Sequence, residues 1–388
     1  MSIFCSPRER NRCRADYARE LFSHGASPDS PYTHETETAT IPGTIVYDVR
    51  PCKGRGSSLF VTKGTHMTTT TRLSHASRMN PVKGVALIAL VLALAISTHA
   101  SPKISRTDRV QFYTSLWEGA RLSDGRPRVS DDILVRMKNV SIEEAWSVLR
   151  NEGYHNQFEG NWKMIHPDVP IVGRALTAQY MPARPDVKKM IDDQGRAEGR
   201  IGASNSWPID MLQKGDVYVA DGFGKIADGT LIGDNLGNSI FAKSGNGVVF
   251  DGSLRDLEGL EAIEGFNAFV RGWDPSFLQE VMLTGINVPI RIGRATCLPG
   301  DVVLAKREGV IFIPAHLAEK VVKTAEAIML RDRFGHQRLK EGKYTPGQID
   351  GRWSDQIRED FFKWLQDNMN QLPVPEKVIK EILEKRTW

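Results

Sequence analysis

The sequence is short of cysteine. It has 4 in 388 residues, and Cys5, Cys13 and Cys52 all fall in the first hundred. Cys297 stands alone in the remainder, which excludes a disulfide framework or a thiolate metal centre there. No histidine is near it in sequence, so a small, semi-buried thiol is expected rather than a nucleophile. Long apolar runs are also lacking. The run at 84–96 is about 13 residues, short of the about 20 that span a bilayer. Charge of one sign is in excess only at the N-terminus. Residues 1–100 carry 12 Lys/Arg against 7 Asp/Glu, and residues 101–388 carry 39 against 40. The pI near 8.8 therefore belongs to the N-terminal stretch, and no nucleic-acid partner is expected for the globular part. Gly222-Phe223-Gly224 does not open a dinucleotide fingerprint, and no glycine-rich loop for a methyl donor is present.

What is present starts with a leader-like segment. Met79-Asn80-Pro81-Val82-Lys83 is a short positive region, 84–96 is apolar, and Ser97-Thr98-His99-Ala100 ends on a small residue. Residues 79–100 thus have the layout of a signal peptide, with a mature chain from about Ser101. A secreted or periplasmic location is expected, and the alternative is a membrane anchor over 84–97. Residues 1–78 are rich in Ser, Thr, Arg and His and read as a non-native or disordered extension, as if the reading frame began upstream of Met79.

The remainder divides into a helical segment at 101–164, an α/β domain at 165–334 and a helical extension at 335–388. Helices are expected at 131–139 and 142–151, the second opened by Ser141 and Glu144 in capping-box spacing. A charged helix or loop is expected at 186–199 and a helical turn at 209–214. Strands are expected at 170–180, 216–221, 247–252, 268–272, 288–292, 301–305 and 309–314. Their close spacing suggests hairpins more than strict βαβ alternation. The fold class is a layered α/β sandwich with a mixed sheet and extra N- and C-terminal helices. An amphipathic helix is expected at 315–334, with Leu317, Val321, Val322, Ala325, Ile328 and Met329 on one face. Beyond it, Phe361, Phe362, Trp364 and Leu365 are too apolar to float freely and are expected to pack on the body or on a neighbouring subunit.

The candidate chemistry is concentrated in one stretch. Gly233-Asp234-Asn235-Leu236-Gly237 is followed by Arg255-Asp256, with 20 residues between Asp234 and Arg255. A helix after the Gly-rich turn and a buried strand at 247–252 would return the chain to the same sheet edge. That would bring two acids, a guanidinium and a turn of backbone amides to one crevice. Those parts suit a small α-keto acid held on a divalent metal.

These motifs, with Gly215-Asp216-Val217-Tyr218-Val219-Ala220-Asp221, Val248-Val249-Phe250-Asp251-Gly252-Ser253-Leu254 and Pro299-Gly300-Asp301-Val302-Val303, resemble the RraA-like family over about residues 165–325. That family includes class II 4-hydroxy-4-methyl-2-oxoglutarate aldolases, which also decarboxylate oxaloacetate, and the regulators of ribonuclease activity. Some members carry an older label as dimethylmenaquinone methyltransferases. The resemblance implies a swivelling β/β/α fold and a homotrimer or higher homo-oligomer. It also implies a lyase that cleaves a small α-keto acid through a pyruvate enolate. Asp256 resembles the metal-ligating carboxylate, for Mg²⁺ or Mn²⁺ with water as the other ligands. Arg255 would pair with the pyruvate carboxylate or keto oxygen. The amides of Asn235 and Leu236 would bind the carboxylate at a helix N-terminus. Asp234 would hold the water that protonates the enolate. The family tends to have an apolar residue where Asn235 stands, and the region after about 335 departs from its pattern. No stable membrane contact is expected after leader cleavage.

Other readings compete. Arg255-Asp256 also suits a structural ion pair at a strand end, and Asp234 a helix cap. Asp216 and Asp301 follow glycine and precede β-branched residues, as turn residues at strand starts do. His155, His166 and His336 are scattered. Asn205-Ser206-Trp207-Pro208 is a polar–aromatic turn that would either pack or cover the site. The rival functions are a non-catalytic RraA-like binding or regulatory protein, and a lyase on a sugar-derived keto acid.

Overall fold

The computed structural model describes residues 103–386, so the extension and leader read at 1–100 lie outside the described residues. In chain order the elements are α1 (Thr107–Tyr113), α2 (Asp131–Met137), α3 (Ile142–Asn151), β1 (Phe158–Glu159), β2 (Lys163–Met164) and β3 (Ile171–Pro182). Next come α4 (Pro185–Ala197), α5 (Trp207–Asp210), β4 (Asp216–Lys225), α6 (Asp234–Ser244), β5 (Val248–Leu254), α7 (Leu257–Glu261) and β6 (Ala268–Trp273). Then follow β7 (Val281–Ile286), β8 (Ile290–Ile292), β9 (Ala295–Cys297), β10 (Val302–Lys306) and β11 (Gly309–Ile313). The chain closes with α8 (Ala318–Lys340), α9 (Pro346–Asp350), α10 (Asp355–Asn368) and α11 (Glu376–Lys385). Among the described residues no helix is long and apolar enough to cross a membrane.

Nine strands form one sheet in the order β1-β11-β10-β3-β4-β5-β6-β2, with β7 also paired to β3. β3, β4, β5 and β6 run parallel, whereas β10, β11, β1, β2 and β7 pair antiparallel. The sheet is therefore mixed, and the layered α/β sandwich of RraA-like type is what the sequence led one to expect. Its centre differs from the hairpin expectation. The four central strands are joined by helices, because parallel neighbours need a crossover and α4 to α7 supply it. β7 was not foreseen.

Both faces of the central strands are covered, which explains their nearly unbroken apolar runs. Side chains alternate between two cores. Leu176, Tyr218, Ala220, Phe250 and Val270 face the helices and meet Trp207, Ile240 and Leu260. Val217, Val219, Val249 and Phe269 face the other way, against the β8–β9 hairpin through Ile290, Ile292 and Cys297. Each fully buried large apolar side chain contributes about 1.5–3 kcal/mol. Cys297 is a free, buried thiol, in keeping with the packing role read for it.

Helices α2, α3 and α8 close the β10–β11 end around Val302, Leu304, Ile311 and Val321. The Ser141–Glu144 capping box is formed, with both reciprocal bonds present. Arg136 grips the buried Glu326 of α8 with two bonds of 2.7 Å each. α8 extends to Lys340, beyond the expected end near 334. Gly335 does not stop it, because the missing side chain makes room for Ile349 of α9. Phe361, Phe362, Trp364 and Leu365 pack with Leu330 and Phe334, so the C-terminal helices build a satellite core on the end of α8.

Candidate functional site

The crevice lies past the carboxyl end of β5, where ligands collect in open α/β sheets. After β4 the chain runs back beside β5. The amide of Leu231 donates to the Ser253 carbonyl at 3.1 Å, and the amide of Arg255 donates to the Ile232 carbonyl at 3.1 Å. Those two bonds place Gly233 directly against Arg255 and Asp256. All four predicted side chains, Asp234, Asn235, Arg255 and Asp256, line one cavity of about 80 Å³, together with Leu236.

The local backbone serves close approach. Gly233 heads α6, and a side-chain carbon added there would run into the Asp256 carboxylate and come within 3.0 Å of the Arg255 Nε. Its φ of −120° suits any residue, so the need is for space rather than for conformational freedom. Asp256 does need conformational freedom. It sits at φ 57° and ψ 47°, a left-handed setting that aspartate tolerates better than most residues. Although it stands at the start of α7, its side chain makes no capping bond. Its Oδ2 instead lies 3.3 Å from the Arg255 Nε. Both side chains keep roughly 40% of their surface in contact with solvent, so the pair is open to a ligand.

Asp234 is the first residue of α6 and does not cap it from outside. Its Oδ1 accepts the Asn235 amide at 2.7 Å, so the protein's own carboxylate occupies one of the two amides expected to hold substrate. A substrate carboxylate reaching that amide would displace it. Gly259 of α7 makes room for this aspartate, since a side-chain carbon there would approach the Asp234 Oδ2 to 2.8 Å. Leu260 packs against Gly237 and fixes α7 on α6.

Three contributors to the wall had weak signals or none. Asn205 donates to the Leu231 carbonyl at 2.6 Å and lines the cavity. Its polar–aromatic turn was the one signal that could have found it. Phe277 and Leu278, between β6 and β7, form an apolar rim. Nothing local in sequence marks them.

The other acids are elsewhere. Asp216 is fully buried and binds the Arg126 Nη2 at 2.8 Å, while accepting the Gln213 amide at 2.9 Å as a turn residue does. Burial works against the Arg126 charge, but Asp216 and Asp124 outweigh it and hold the guanidinium firmly protonated. Asp301 accepts the Leu298 amide at 2.8 Å, also a turn role, and burial pushes its carboxyl up to about 7. His155 and His336 are exposed and His166 half-buried. None of the three lines the crevice.

The half-open pocket at the tip of a parallel strand thus gathers the Arg255–Asp256 ion pair, the Asp234 carboxylate and the start of a helix in one α/β protein. Residues 122–312 match the model of the RraA-like family, described as Aldolase/RraA. Among curated proteins the chain is similar to Protein DlpA of Legionella pneumophila, 29% identical over 200 residues, 51% of this chain and 29% of that one. It is also similar to a Halalkalibacterium halodurans protein carrying the provisional name 4-hydroxy-4-methyl-2-oxoglutarate aldolase. There the identity is 31% over 112 residues, 29% of this chain and 52% of that one. The chain thus spans about half or less of the length of these relatives. Among solved structures, a Pseudomonas syringae protein is 25% identical, with 57% of this chain and 94% of that one covered and a TM-score of 0.47. Streptomyces coelicolor RraAS2, described as an unusual member of the RNase ES inhibitor RraA family, is 24% identical. It covers 54% of this chain and 100% of that one, with a TM-score of 0.46.

Proposed function

We propose that the protein is a divalent-metal-dependent carbon–carbon lyase on a small α-keto acid, of the 4-hydroxy-4-methyl-2-oxoglutarate aldolase and oxaloacetate decarboxylase type. The observation that carries this is the meeting of Gly233 and Asp234 with Arg255 and Asp256 in one solvent-accessible crevice. Arg255 offers its planar fork to the substrate carboxylate. The amides of Asn235 and Leu236, at the positive end of α6, give a second hold.

The donor set fits a hard dication. Among the described residues no group of three or more His, Cys, Asp or Glu could hold a metal. Of the two carboxylates in the crevice, Asp256 would be the metal ligand, a sparse oxygen set that suits Mg²⁺ or Mn²⁺ with water as most of its ligands. Bound there, the ion supplies Lewis-acid stabilisation to the keto oxygen. As the C3–C4 bond breaks, the C4 hydroxyl would give up its proton to solvent and leave as a carbonyl, and Asp234 would hold the water that protonates C3 of the pyruvate enolate. A positioned proton donor of this kind contributes about 10²–10⁴-fold. Cleavage of the aldol and loss of CO₂ from oxaloacetate pass through the same enolate, so one site serves both.

The test is pyruvate release by the full chain from both compounds, with Mg²⁺ or with EDTA. Metal-dependent release that falls at least about 10²-fold in Asp256→Ala is expected. No release by the folded wild type would overturn this substrate assignment in favour of a non-catalytic binding role or a lyase on a different keto acid, such as one derived from a sugar. We also propose that residues 79–100 direct export and that the protein assembles as a homotrimer or larger. Mass spectrometry of the native protein should then find an N-terminus near Ser101. Retention of Met1 would count against export.

A further inference from the structure

A second cavity, of about 140 Å³, lies between the N-terminal helical segment and the β9–β11 region. It shares no residue with the crevice at Arg255. Trp117 and Tyr154 give it aromatic walls, and Gln157, Thr296, Asp301 and His316 give it polar ones.

The polar groups are arranged as acceptors. Asp301 is only 3% exposed, and one of its oxygens takes the Leu298 amide at 2.8 Å. Its other oxygen takes no hydrogen bond among the described residues, although the carboxyl forms part of the cavity wall. The Gln157 Nε2 donates to the Phe312 carbonyl at 2.7 Å. The His316 Nε2 meets the Tyr154 hydroxyl at 3.2 Å. Burial lowers the affinity of His316 for its proton. No lysine or arginine lines the cavity.

A buried carboxyl with an open oxygen is costly unless something donates to it. Aromatic faces attract cations and planar rings. With no cationic side chain in its lining, the cavity is a poor place for an anion such as a second keto acid. We infer that it is a binding site for a small planar nitrogenous ring, cationic or rich in N–H donors, seated between Trp117 and Tyr154 with its N–H groups on Asp301. Such a ligand would tie the N-terminal segment to the strands that carry Thr296 and Asp301.

Benzamidine and benzoate are probes of nearly the same shape and opposite charge. Calorimetric titration of the full chain at about pH 8, above the range in which Asp301 holds its proton, should show benzamidine bound at least about tenfold more tightly than benzoate, the carboxylate being the discriminating group. Thr296→Trp fills the mouth from an exposed strand position and should abolish benzamidine binding with no change in thermal unfolding. Asp301→Asn keeps an acceptor for the Leu298 amide and should weaken benzamidine about tenfold while leaving any benzoate binding unchanged or stronger. The two variants are read independently, so failure of one to fold leaves the other decisive. Equal binding of both probes, benzamidine binding unchanged in the variants, or no binding by the wild type would each overturn the inference.

Discussion

Two clusters of arginine and aspartate lie at different places along the same parallel strands, and they differ in almost everything but composition. At the start of β4, Arg126 and Asp216 are wholly sealed and 2.8 Å apart, with Arg174 3.5 Å from the other Asp216 oxygen. Past the end of β5, Arg255 and Asp256 are 3.3 Å apart and open to solvent. The sealed cluster has its partners already. Asp124 binds Arg126 at 2.7 Å, and Arg174 donates to the Val129 carbonyl at 2.9 Å. It fastens the N-terminal segment to the sheet, and although the Arg174 Nε and one Asp216 oxygen make no hydrogen bond among the described residues, burial closes both to a ligand. The open pair has spare acceptors and donors, a glycine cradle and a helix start facing it. Burial, more than residue type, separates a structural ion pair from a site.

That contrast can be pressed from both sides. The largest stability loss should come from Asp216→Ala, which takes the shared buried carboxylate from two buried guanidinium groups. A broken buried pair costs about 3–5 kcal/mol, readable in urea denaturation. Asp256→Ala, at a half-exposed pair, should cost less than about 1 kcal/mol while abolishing metal-dependent turnover. If Asp256→Ala unfolds the protein instead, the open pair is structural after all. Next in size is Gly233→Ala. The added methyl displaces the Asp256 carboxylate, and a displacement of this order lowers kcat/KM by about 10²-fold. Unaltered kinetics would show that the cradle is not needed.

The smallest effect concerns Asp301, buried like Asp216 but without a cation. Its carboxyl sits at about 7 in the folded protein, against 3.8 for the ordinary group. The folded state therefore holds the proton more tightly, and stability falls as pH rises from about 4 to about 7. A tenfold difference in proton affinity between the folded and unfolded chain corresponds to about 1.4 kcal/mol. Structural relaxation leaves an expected change of about 1–2 kcal/mol across that window. Asp301→Asn should flatten this part of the stability profile. A profile identical to the wild type would mean that Asp301 titrates normally.

Legibility followed the range of the physics involved. The strands were readable because a run such as Val248-Val249-Phe250 is apolar on both faces, and the capping box at Ser141 because its partners are three residues apart. The parallel direction of β3 to β6 was not readable, since it depends on which strands pair. The extension of α8 past Gly335 was not readable either, because the glycine answers to α9 rather than to its own helix. At the site, Asp234, Asn235, Leu236, Arg255 and Asp256 were named correctly as neighbours. The use of the Asn235 amide by Asp234 and the rim at Phe277 emerged only in three dimensions.

By itself the sequence determined the alternation that buries both sheet faces, the caps, and the 20-residue interval that lets a helix and a strand carry Asp234 back toward Arg255. These are local properties, set by periodicity and by the reach of a few turns of chain. Tertiary structure decided which acid is sealed and which is open. Asp216 and Asp256 are the same side chain, and only the arrival of Arg126 from 90 residues away settles that the first is covered and paired while the second still faces solvent.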